Sequence, residues 1–447
     1  MKKLRLAFAP LLILPATPAS AAPDDTVAWS LVEGLTTEVG QRLAGTEAEA
    51  RARDWGMKKL KALGFKNVAV EPFPMKTWIR GIETAELTAP YPQRLAIAAL
   101  GGSGATPEAG LKGNIVVFPT FADFKAAPDD AVKGKIVYVG HTMKATQDGS
   151  SYGYFGVLRR SGPNLAARKG AAAFLIRSIG TDNHRVPHTG LTNWEAGVEP
   201  IPAAAVSNPD ADLIERANAR NPGGLQLALV LTPKFVGEQL SGNLIGEIPG
   251  SDPDAGVIVI GGHLDSWDLG TGAIDDGAGI AITTAAAKAI LDSGKKPRRT
   301  IRIVWWGAEE EGGLGGAAYF AKHKGERHAL AGESDFGADR VWRFQTKLPT
   351  AAAPLAARLA SALAPLGIAA GAEAEDGGTD VGPLVATGVP VIALGQDGTR
   401  YFDIHHTADD TLDKIDPKQL AQNVEAWRIM LETAANAPED LMAGRGQ

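Results

Sequence analysis

The 447-residue chain contains no cysteine, so no disulfide contributes to its fold, and the redox state of its compartment is left open. It also lacks an excess of charge: 45 Lys and Arg stand against 51 Asp and Glu, a net charge of -6. Such mild acidity gives no reason to expect nucleic acid or an anionic membrane as a partner. The sequence has no internal repeat and no low-complexity tail. Its length is enough for large cores and predicts two domains.

Long apolar runs are also absent, except at the N-terminus. Lys2, Lys3 and Arg5 form a basic beginning, Leu4–Leu14 supplies a short apolar stretch, and small residues follow at 19–21. This stretch is too short for a permanent membrane span, whereas the order basic, apolar, small is typical of a secretory leader. We therefore expect residues 1–22 to be a signal peptide cleaved near Ala21/Ala22, and the mature protein to be secreted or periplasmic. The alternative is a frayed hydrophobic terminus.

The stretch from Gly256 to Glu311 has the pattern of a strand, a crossover helix and a second strand. Its apolar runs are Val257–Ile260 and Ile301–Trp306, and the Ala/Ile-rich segment between them extends to Leu291. Such a βαβ unit implies parallel strands joined by a right-handed crossover. In open α/β sheets, ligands bind at the carboxyl ends of the strands.

Polar residues gather at that edge of the predicted sheet. His263 and Asp265 follow the first strand, Glu309 and Glu310 follow the second, and Asp275 stands at the helix entrance. Carboxylates packed so closely repel one another unless cations neutralise them. A neutral imidazole among oxygen ligands suits zinc. The alternative is a solvated acidic rim on a surface loop.

Two further features bear on this site. The segment Tyr401–Thr411 contains His405 and His406, which we expect to point in different directions, one as a ligand and the other packing or binding substrate. Glu311, the third of three consecutive glutamates, is expected to be a solvated surface charge.

The composition changes at Gly101–Gly110, a stretch of Gly, Ser and Pro that predicts a hinge. Short β-branched runs follow, with one helix at Asn164–Lys169, and they predict a small β-rich module. We expect a catalytic domain made of residues 23–107 and 237–447, with residues 108–236 as an insert. The N-terminal portion would supply helices at Thr26–Leu43 and Glu47–Leu63, and a strand of the main domain at Ile82–Leu87.

Five short motifs recur in one order along the chain: His263-x-Asp265, Asp275-Asp276-Gly277, Glu309-Glu310, Glu333-Ser334-Asp335, and His406-Thr407 with Asp410-Thr411. Together they resemble the co-catalytic di-zinc peptidases of the aminopeptidase S type. The resemblance extends over nearly the whole mature chain, including Val39–Gly45, Gly170–Ser178, Pro187–Gly190 and Gly378–Asp380. It implies an α/β fold with a mixed, mostly parallel sheet sandwiched by helices, the zinc exopeptidase fold. The β-rich insert would be a protease-associated domain that acts as a lid.

The resemblance also implies two zinc ions per chain and a role for each motif. The implied metal ligands are His263, Asp275, Glu310, Asp335 and His406. Asp275 would bridge the two ions, and its peptide bond with Asp276 would be of the unusual cis form. Asp335 is the least secure ligand because Glu333 would share its strand face. Asp265 would hydrogen-bond His263 and fix its tautomer. Glu309 would be the general base.

The expected activity is hydrolysis of dipeptides or short peptides by a zinc exopeptidase. Asp380, Tyr401, His188 and Arg177 are candidates for binding the substrate termini, although each could be structural. A homodimer is expected from the family resemblance alone. Two alternatives use the same fold: a glutaminyl cyclase-like single-zinc acyltransferase, which would not need the insert, and an inactive binding module, which would have lost ligands.

Overall fold

The computed structural model describes residues 26–372 and 377–443. The predicted signal peptide, residues 1–22, lies outside the described residues and stays a prediction. The strands of the described part form two eight-stranded sheets. None of the helices in these ranges combines the length and the apolar character that crossing a bilayer requires.

In chain order the strands are β1 (Lys66–Ile79), β2 (Glu83–Ala89), β3 (Gln93–Leu95), β4 (Ile97–Ala99), β5 (Leu111–Phe118), β6 (Ile136–Val139), β7 (Ala173–Arg177), β8 (Ala203–Val206), β9 (Gln226–Leu231), β10 (Lys234–Ile248), β11 (Val257–His263), β12 (Thr300–Trp306), β13 (His328–Glu333), β14 (Val341–Lys347), β15 (Ala369–Ala370) and β16 (Val391–Gln396). The α-helices are α1 (Thr26–Gly34), α2 (Glu47–Leu63), α3 (Phe121–Ala126), α4 (Asp129–Val132), α5 (Ser150–Arg168), α6 (Asn208–Arg220), α7 (Ala278–Asp292), α8 (Leu314–His323), α9 (Ala353–Leu363), α10 (Gly382–Val385) and α11 (Pro417–Ala435).

The main sheet has the strand order β1-β10-β12-β11-β13-β16-β14-β15. Four of its seven neighbouring pairs are parallel, so the prediction of a mixed sheet is confirmed. The predicted βαβ unit is β11, α7 and β12, with the two strands paired in parallel. Side chains of a strand point alternately to its two faces. Accordingly, Ile258 and Ile260 pack in the core that contains α7 and α11, whereas Val259 packs in the core that contains α8 and α10. The sheet is therefore covered by helices on both faces.

The second sheet has the order β3-β2-β9-β5-β6-β7-β8-β4 and is built entirely from residues between Glu83 and Leu231. The assignment of Ile82–Leu87 to the main sheet is wrong, because β2 pairs with β9. The second sheet therefore begins before the predicted boundary at residue 108. Residues 83–231, the second-sheet part of the chain, also carry α3 to α6. This part is therefore a layered α/β unit rather than a β-rich one. The single helix predicted at Asn164–Lys169 is the end of α5, which begins at Ser150.

The N-terminal helix is shorter than predicted. α1 ends at Gly34, a π-helical turn spans Leu35–Val39, and Gly40 then leaves the helical region with a φ of 84°. In contrast, α2 has the predicted bounds. It ends at Gly64 in the left-handed conformation, which glycine adopts without steric cost.

Candidate metal centre

The implied ligands meet at one edge of the main sheet. His263 is the last residue of β11, Asp275 lies just before α7, Glu310 follows β12, and Asp335 follows β13. β12, β11 and β13 are parallel neighbours, so their carboxyl ends lie side by side. His406 joins them from the loop after β16. This is the edge at which the sequence pattern places a ligand.

Asp275 stands between two histidines. Its Oδ1 atom lies 3.0 Å from His263 Nε2, and its Oδ2 atom lies 3.3 Å from His406 Nε2. Each imidazole faces one more carboxylate: Asp335 Oδ1 is 3.5 Å from His263 Nε2, and Glu310 Oε2 is 3.0 Å from His406 Nε2. The site thus consists of two half-sites that share one carboxylate.

The second nitrogen of each imidazole, Nδ1, is held by a backbone carbonyl. His263 Nδ1 lies 2.9 Å from the carbonyl oxygen of Asp265, and His406 Nδ1 lies 3.1 Å from that of Thr189. A carbonyl only accepts, so His263 Nδ1 carries a proton, whereas His406 Nδ1 also lies 3.2 Å from the donor Arg159 Nη1. The Nε2 atoms of both rings face carboxylate oxygens.

Carboxylates gathered around imidazoles in a buried site require a positive charge, which a protonated ring or a metal ion at Nε2 supplies. Asp275 Oδ2 and Glu310 Oε1 are buried without a hydrogen-bond partner among the described residues. Imidazole nitrogens and carboxylate oxygens are ligands that zinc accepts. The residues present therefore fit metal ions, and each half-site offers one imidazole, one carboxylate of its own and the shared Asp275.

The electrostatics of the site reflect its excess of anions. Burial raises the pKa of Glu309 well above its usual range, and it also raises the pKa of Glu310 and of Asp335. Burial would lower the pKa of His263 and of His406, but the neighbouring carboxylates outweigh it, and both pKa values lie well above the usual one. The raised pKa values of the carboxyl groups and of the imidazoles both reflect negative charge that is buried away from water without enough positive charge beside it.

Asp265 acts on its neighbours differently from the expectation. The carbonyl of Asp265, not its carboxylate, accepts from His263, because the carboxylate Oδ1 is 3.6 Å from His263 Nδ1. The carboxylate instead accepts from the backbone N–H groups of Glu309, at 3.0 Å, and Glu310, at 3.2 Å. Asp265 therefore holds the turn that presents both glutamates.

Asp276 supports the opposite side of the site. Its peptide bond with Asp275 is cis, as the resemblance implied. Its carboxylate accepts from the backbone N–H of His263 at 3.0 Å and of Gly279 at 2.9 Å. The end of β11 is therefore tied to the beginning of α7.

His405 and His406 do not point in different directions, so that prediction is wrong. Their rings stack with centroids 3.5 Å apart, and both Nε2 atoms approach Asp275 Oδ2, at 3.7 and 3.3 Å. The reason is the backbone of His406, which has a φ of 62°. Successive side chains diverge in extended chain, but not across a left-handed residue. Glu311 also departs from the expectation, because burial raises its pKa to about 8.

A cavity of about 370 Å³ opens onto Asp275, Glu309, Glu310, Asp335 and His406. Of the candidates for substrate binding, Tyr401 lines it. Asp380 does not, because it is buried and its Oδ1 accepts from Gly316 N in α8 at 2.9 Å.

His188 and Arg177 also lie outside this cavity. His188 is fixed between Asp182 Oδ1, at 2.6 Å, and the carbonyl of His405, at 2.7 Å. Arg177 pairs with Asp212 and Glu215.

Several residues of the second-sheet part line the cavity and were not identified from the sequence. They are Tyr152, Arg159, Arg160, Leu191 and Asn193. α5 brings the first three to the site across more than 100 residues of chain, and no sequence pattern signals such a contact. On the main-sheet side, Trp267 Nε1 donates to Glu310 Oε2 at 2.7 Å.

The second-sheet part also holds the loop that carries His406. Thr189 N donates to the carbonyl of His406 at 3.1 Å, and Thr181 N donates to that of Phe402 at 3.1 Å. Together with the bonds to His406 Nδ1 and to the carbonyl of His405, these contacts fix the loop from 401 to 406. The conformation of His406 therefore depends on the loop between β7 and β8.

The fold and the site define a class, that of the metal-dependent hydrolases with helices on both faces of a mixed sheet. Comparisons with known proteins agree with this class. A sequence model described as Peptidase family M28 matches residues 243–431, which contain all five implied ligands. Carboxypeptidase Q of Bos taurus is 34% identical over 409 residues, 91% of this chain and 85% of the relative. The chain therefore belongs to peptidase family M28 and is a metallopeptidase, a hydrolase. The resemblance read from the motifs is confirmed.

Solved structures agree with the sequence comparisons. The crystal structure of a Peptidase M28 precursor from Shewanella amazonensis SB2B is 46% identical, with a TM-score of 0.90 over 93% of this chain and 94% of that one. A zinc aminopeptidase from Bacillus subtilis superposes with a TM-score of 0.66 at 20% identity, over 94% of this chain and 98% of that one. At that identity the likeness shows the fold alone.

Proposed function

We propose that the protein is a zinc-dependent exopeptidase that holds two zinc ions and hydrolyses dipeptides or other short peptides. The observation that carries the proposal is the position of Asp275. One carboxylate whose two oxygens face the Nε2 atoms of two imidazoles, at 3.0 and 3.3 Å, is arranged to bridge two cations.

The two ions would take separate ligands besides Asp275. His263 and Asp335 would hold one, and His406 and Glu310 would hold the other. A pair of zinc ions, when bound, polarises the scissile carbonyl and makes water a nucleophile at neutral pH. The names of similar proteins support zinc, since the Bacillus subtilis structure is that of a zinc aminopeptidase.

Glu309 would be the general base. It lines the cavity beside the ligands, and its backbone is fixed by Asp265 at 3.0 Å. A base must take a proton from the attacking water and pass it to the leaving amine, so it cannot also be a tight ligand. Neighbouring Glu310 fills the ligand position instead, because it lies 3.0 Å from His406.

The cavity supports a small substrate. Its volume of about 370 Å³ lies near the lower end of the range for small-molecule pockets, roughly 300 to 1,000 Å³. Tyr152 of α5 and Asn193 of the loop between β7 and β8 are among the residues that line it. A site so bounded suits a chain end or a dipeptide better than the middle of a folded polypeptide. The similar carboxypeptidase Q and the zinc aminopeptidase are both named as exopeptidases.

Metal analysis combined with one substitution tests the proposal. We expect the purified protein to bind close to two zinc equivalents, and Glu309→Gln to keep both while turnover of dipeptides falls at least a hundredfold. The control is Asp254→Asn, an exposed carboxylate far from the site along β11. A single tight equivalent would favour a cyclase-like enzyme. Loss of zinc in Glu309→Gln would show that base and ligand are exchanged.

The substrate class needs its own experiment. Dipeptides and peptides of three to ten residues, each with free or blocked termini, are incubated with the protein and followed by mass spectrometry, with and without a chelator. We expect cleavage of the shortest free peptides and none after chelation. Cleavage inside longer, doubly blocked peptides would contradict an exopeptidase.

A further inference from the structure

One fully buried arginine lies behind the candidate metal centre, in a segment that supplies no implied ligand. Arg42 belongs to the stretch Val39–Gly45, which precedes α2, and its side chain is 0% exposed. A buried arginine is normally paired with a carboxylate. In the described part of the chain, however, the side chain of Arg42 donates to backbone carbonyls: that of Leu264, at 2.6 Å from Nε, those of Gly40 and Thr271, at 2.9 and 2.6 Å from Nη1, and that of Gly272, at 2.9 Å from Nη2.

Three of these four carbonyls belong to the loop that joins two implied ligands. The loop of residues 264–272 runs between His263 and Asp275. The backbone of Arg42 makes two more bonds to it, because Arg42 N donates to Ser266 Oγ at 3.1 Å and Ser266 N donates to the carbonyl of Arg42 at 3.2 Å. Both ends of the loop are therefore bound to one residue.

The end of this loop is also held from its other side. Asp410 Oδ1 accepts from the N–H groups of Ala273 and Ile274, both at 2.7 Å. The peptide group between Gly272 and Ala273 thus accepts from Arg42 at its oxygen and donates to Asp410 at its nitrogen. Hydrogen bonds at the two ends of one peptide group polarise it in the same sense, so each strengthens the other. The chain just before the shared carboxylate is therefore fixed by charged groups on both sides.

The close approach of Arg42 requires a glycine at position 272. Gly272 has a φ of 60°, and a Cβ atom there would lie 2.6 Å from Arg42 Nη2 and 2.4 Å from Ser266 Cβ. Any larger residue would push the carbonyl and the guanidinium apart. Position 272 therefore offers a way to disturb this contact without changing the arginine.

We propose that Arg42 is a positioning residue of the metal centre: its hydrogen bonds to the loop of residues 264–272 hold Asp275 where its carboxylate reaches both half-sites. The inference rests on the proposed two-zinc peptidase and adds a residue that does not line the cavity. The guanidinium suits this role because its nitrogens donate in a rigid fork, whereas the ammonium of lysine is a single point charge. The effect should therefore depend on the shape of the side chain as well as on its charge.

Arg299 provides a matched control. It is 1% exposed, and its described side-chain hydrogen bonds also go to backbone carbonyls, those of Ala255, Ala434, Ala437 and Glu439. It precedes β12, at the opposite end of the strand from Glu310. Arg42→Lys and Arg299→Lys thus make the same chemical change at two buried positions, of which only the first contacts the loop between the ligands.

Zinc binding and hydrogen exchange test the inference without relying on turnover. Competition with a chelator measures the zinc affinity, and mass spectrometry follows the amide exchange of residues 271–274 in the zinc-free protein. We expect Arg42→Lys to weaken zinc binding about 10- to 100-fold, the range for residues that orient metal ligands, and to speed this exchange. Arg299→Lys should lower the urea midpoint similarly, but leave the zinc affinity within about twofold of the parent and the exchange of residues 271–274 unchanged.

Gly272→Ala is the second variant, and it keeps the inference testable if Arg42→Lys does not fold. It should weaken zinc binding and speed the exchange in the same way. Zinc affinity within about twofold of the parent in the folded variants would overturn the inference, as would unchanged exchange or an equal loss of zinc affinity in Arg299→Lys. These results would leave the peptidase proposal intact. A parent chain that binds no zinc would instead refute the proposed function, and the inference with it.

Discussion

Replacing Asp265 with Asn tests how the two glutamates are presented. The carboxylate of Asp265 is fully buried and accepts from the N–H groups of Glu309 and Glu310. An amide of the same shape accepts from one N–H and turns its own NH₂ towards the other. The variant thus exchanges two charge-assisted hydrogen bonds for one neutral bond, and it leaves one backbone N–H facing the new NH₂ group without an acceptor. At about 1.5–3 kcal/mol for each bond to a charged group, the loss in unfolding free energy is about 2–4 kcal/mol.

The assay separates stability from catalysis. Urea unfolding in the presence of a chelator measures the fold alone, and kcat at saturating zinc measures the presentation of Glu309. We expect kcat of Asp265→Asn to fall about 10- to 100-fold. In a Glu309→Gln background the same substitution should lower stability equally and change the residual rate little, because the group that it positions is already disabled. The reasoning would be refuted by an unfolding free energy within about 0.5 kcal/mol of the parent together with an unchanged kcat.

Two further predictions concern stability. Burial lowers the pKa of His328 to about 4, so the folded state keeps this ring neutral while the unfolded state takes up a proton below about 6.5. Stability should therefore fall as the pH drops from about 6.5 towards 4, by about 2 kcal/mol at pH 5 from this residue, and His328→Gln should flatten the urea-unfolding curve against pH by that amount; an unchanged slope would contradict it. A Cβ at Gly261 would lie 1.8 Å from the carbonyl of Val304, so Gly261→Ala should destabilise by about 3 kcal/mol. In contrast, Gly153→Ala meets nothing within 4 Å on α5 and should stabilise by about 0.5–1 kcal/mol, and equal Tm values for the two variants would refute this contrast.

The sequence predicts the main sheet edge well because its signals are local. The apolar runs of β11 and β12 have a strand's length, the segment of α7 is helical in composition, and polar residues stand just where the strands end. The five motifs lie on that scaffold. Gly64 likewise predicts the end of α2, since one residue decides the conformation there.

The rest depends on contacts that no local pattern encodes. The stacking of His405 on His406 follows from the positive φ of His406. A histidine in the sequence does not predict that conformation, whereas a glycine would. Asp380 stands in a Gly-Thr-Asp turn that suggests exposure, yet α8 covers it. Arg159 reaches His406 across 247 residues of chain, with 3.2 Å between Nη1 and Nδ1. Such distant pairs are fixed by packing, which sequence periodicity does not describe.

The contacts between the second-sheet part and the loop of His406 connect the two parts of the chain. Residues 243–431 contain all five implied ligands, but the groups that contact His406 Nδ1, the carbonyl of Thr189 and Nη1 of Arg159, lie outside that segment. A shortened chain of the matched segment would therefore have a complete set of ligands and an unguided imidazole. The second-sheet part therefore supports the proposed metal site, and exchanging it for another would mean rebuilding the contacts of His406.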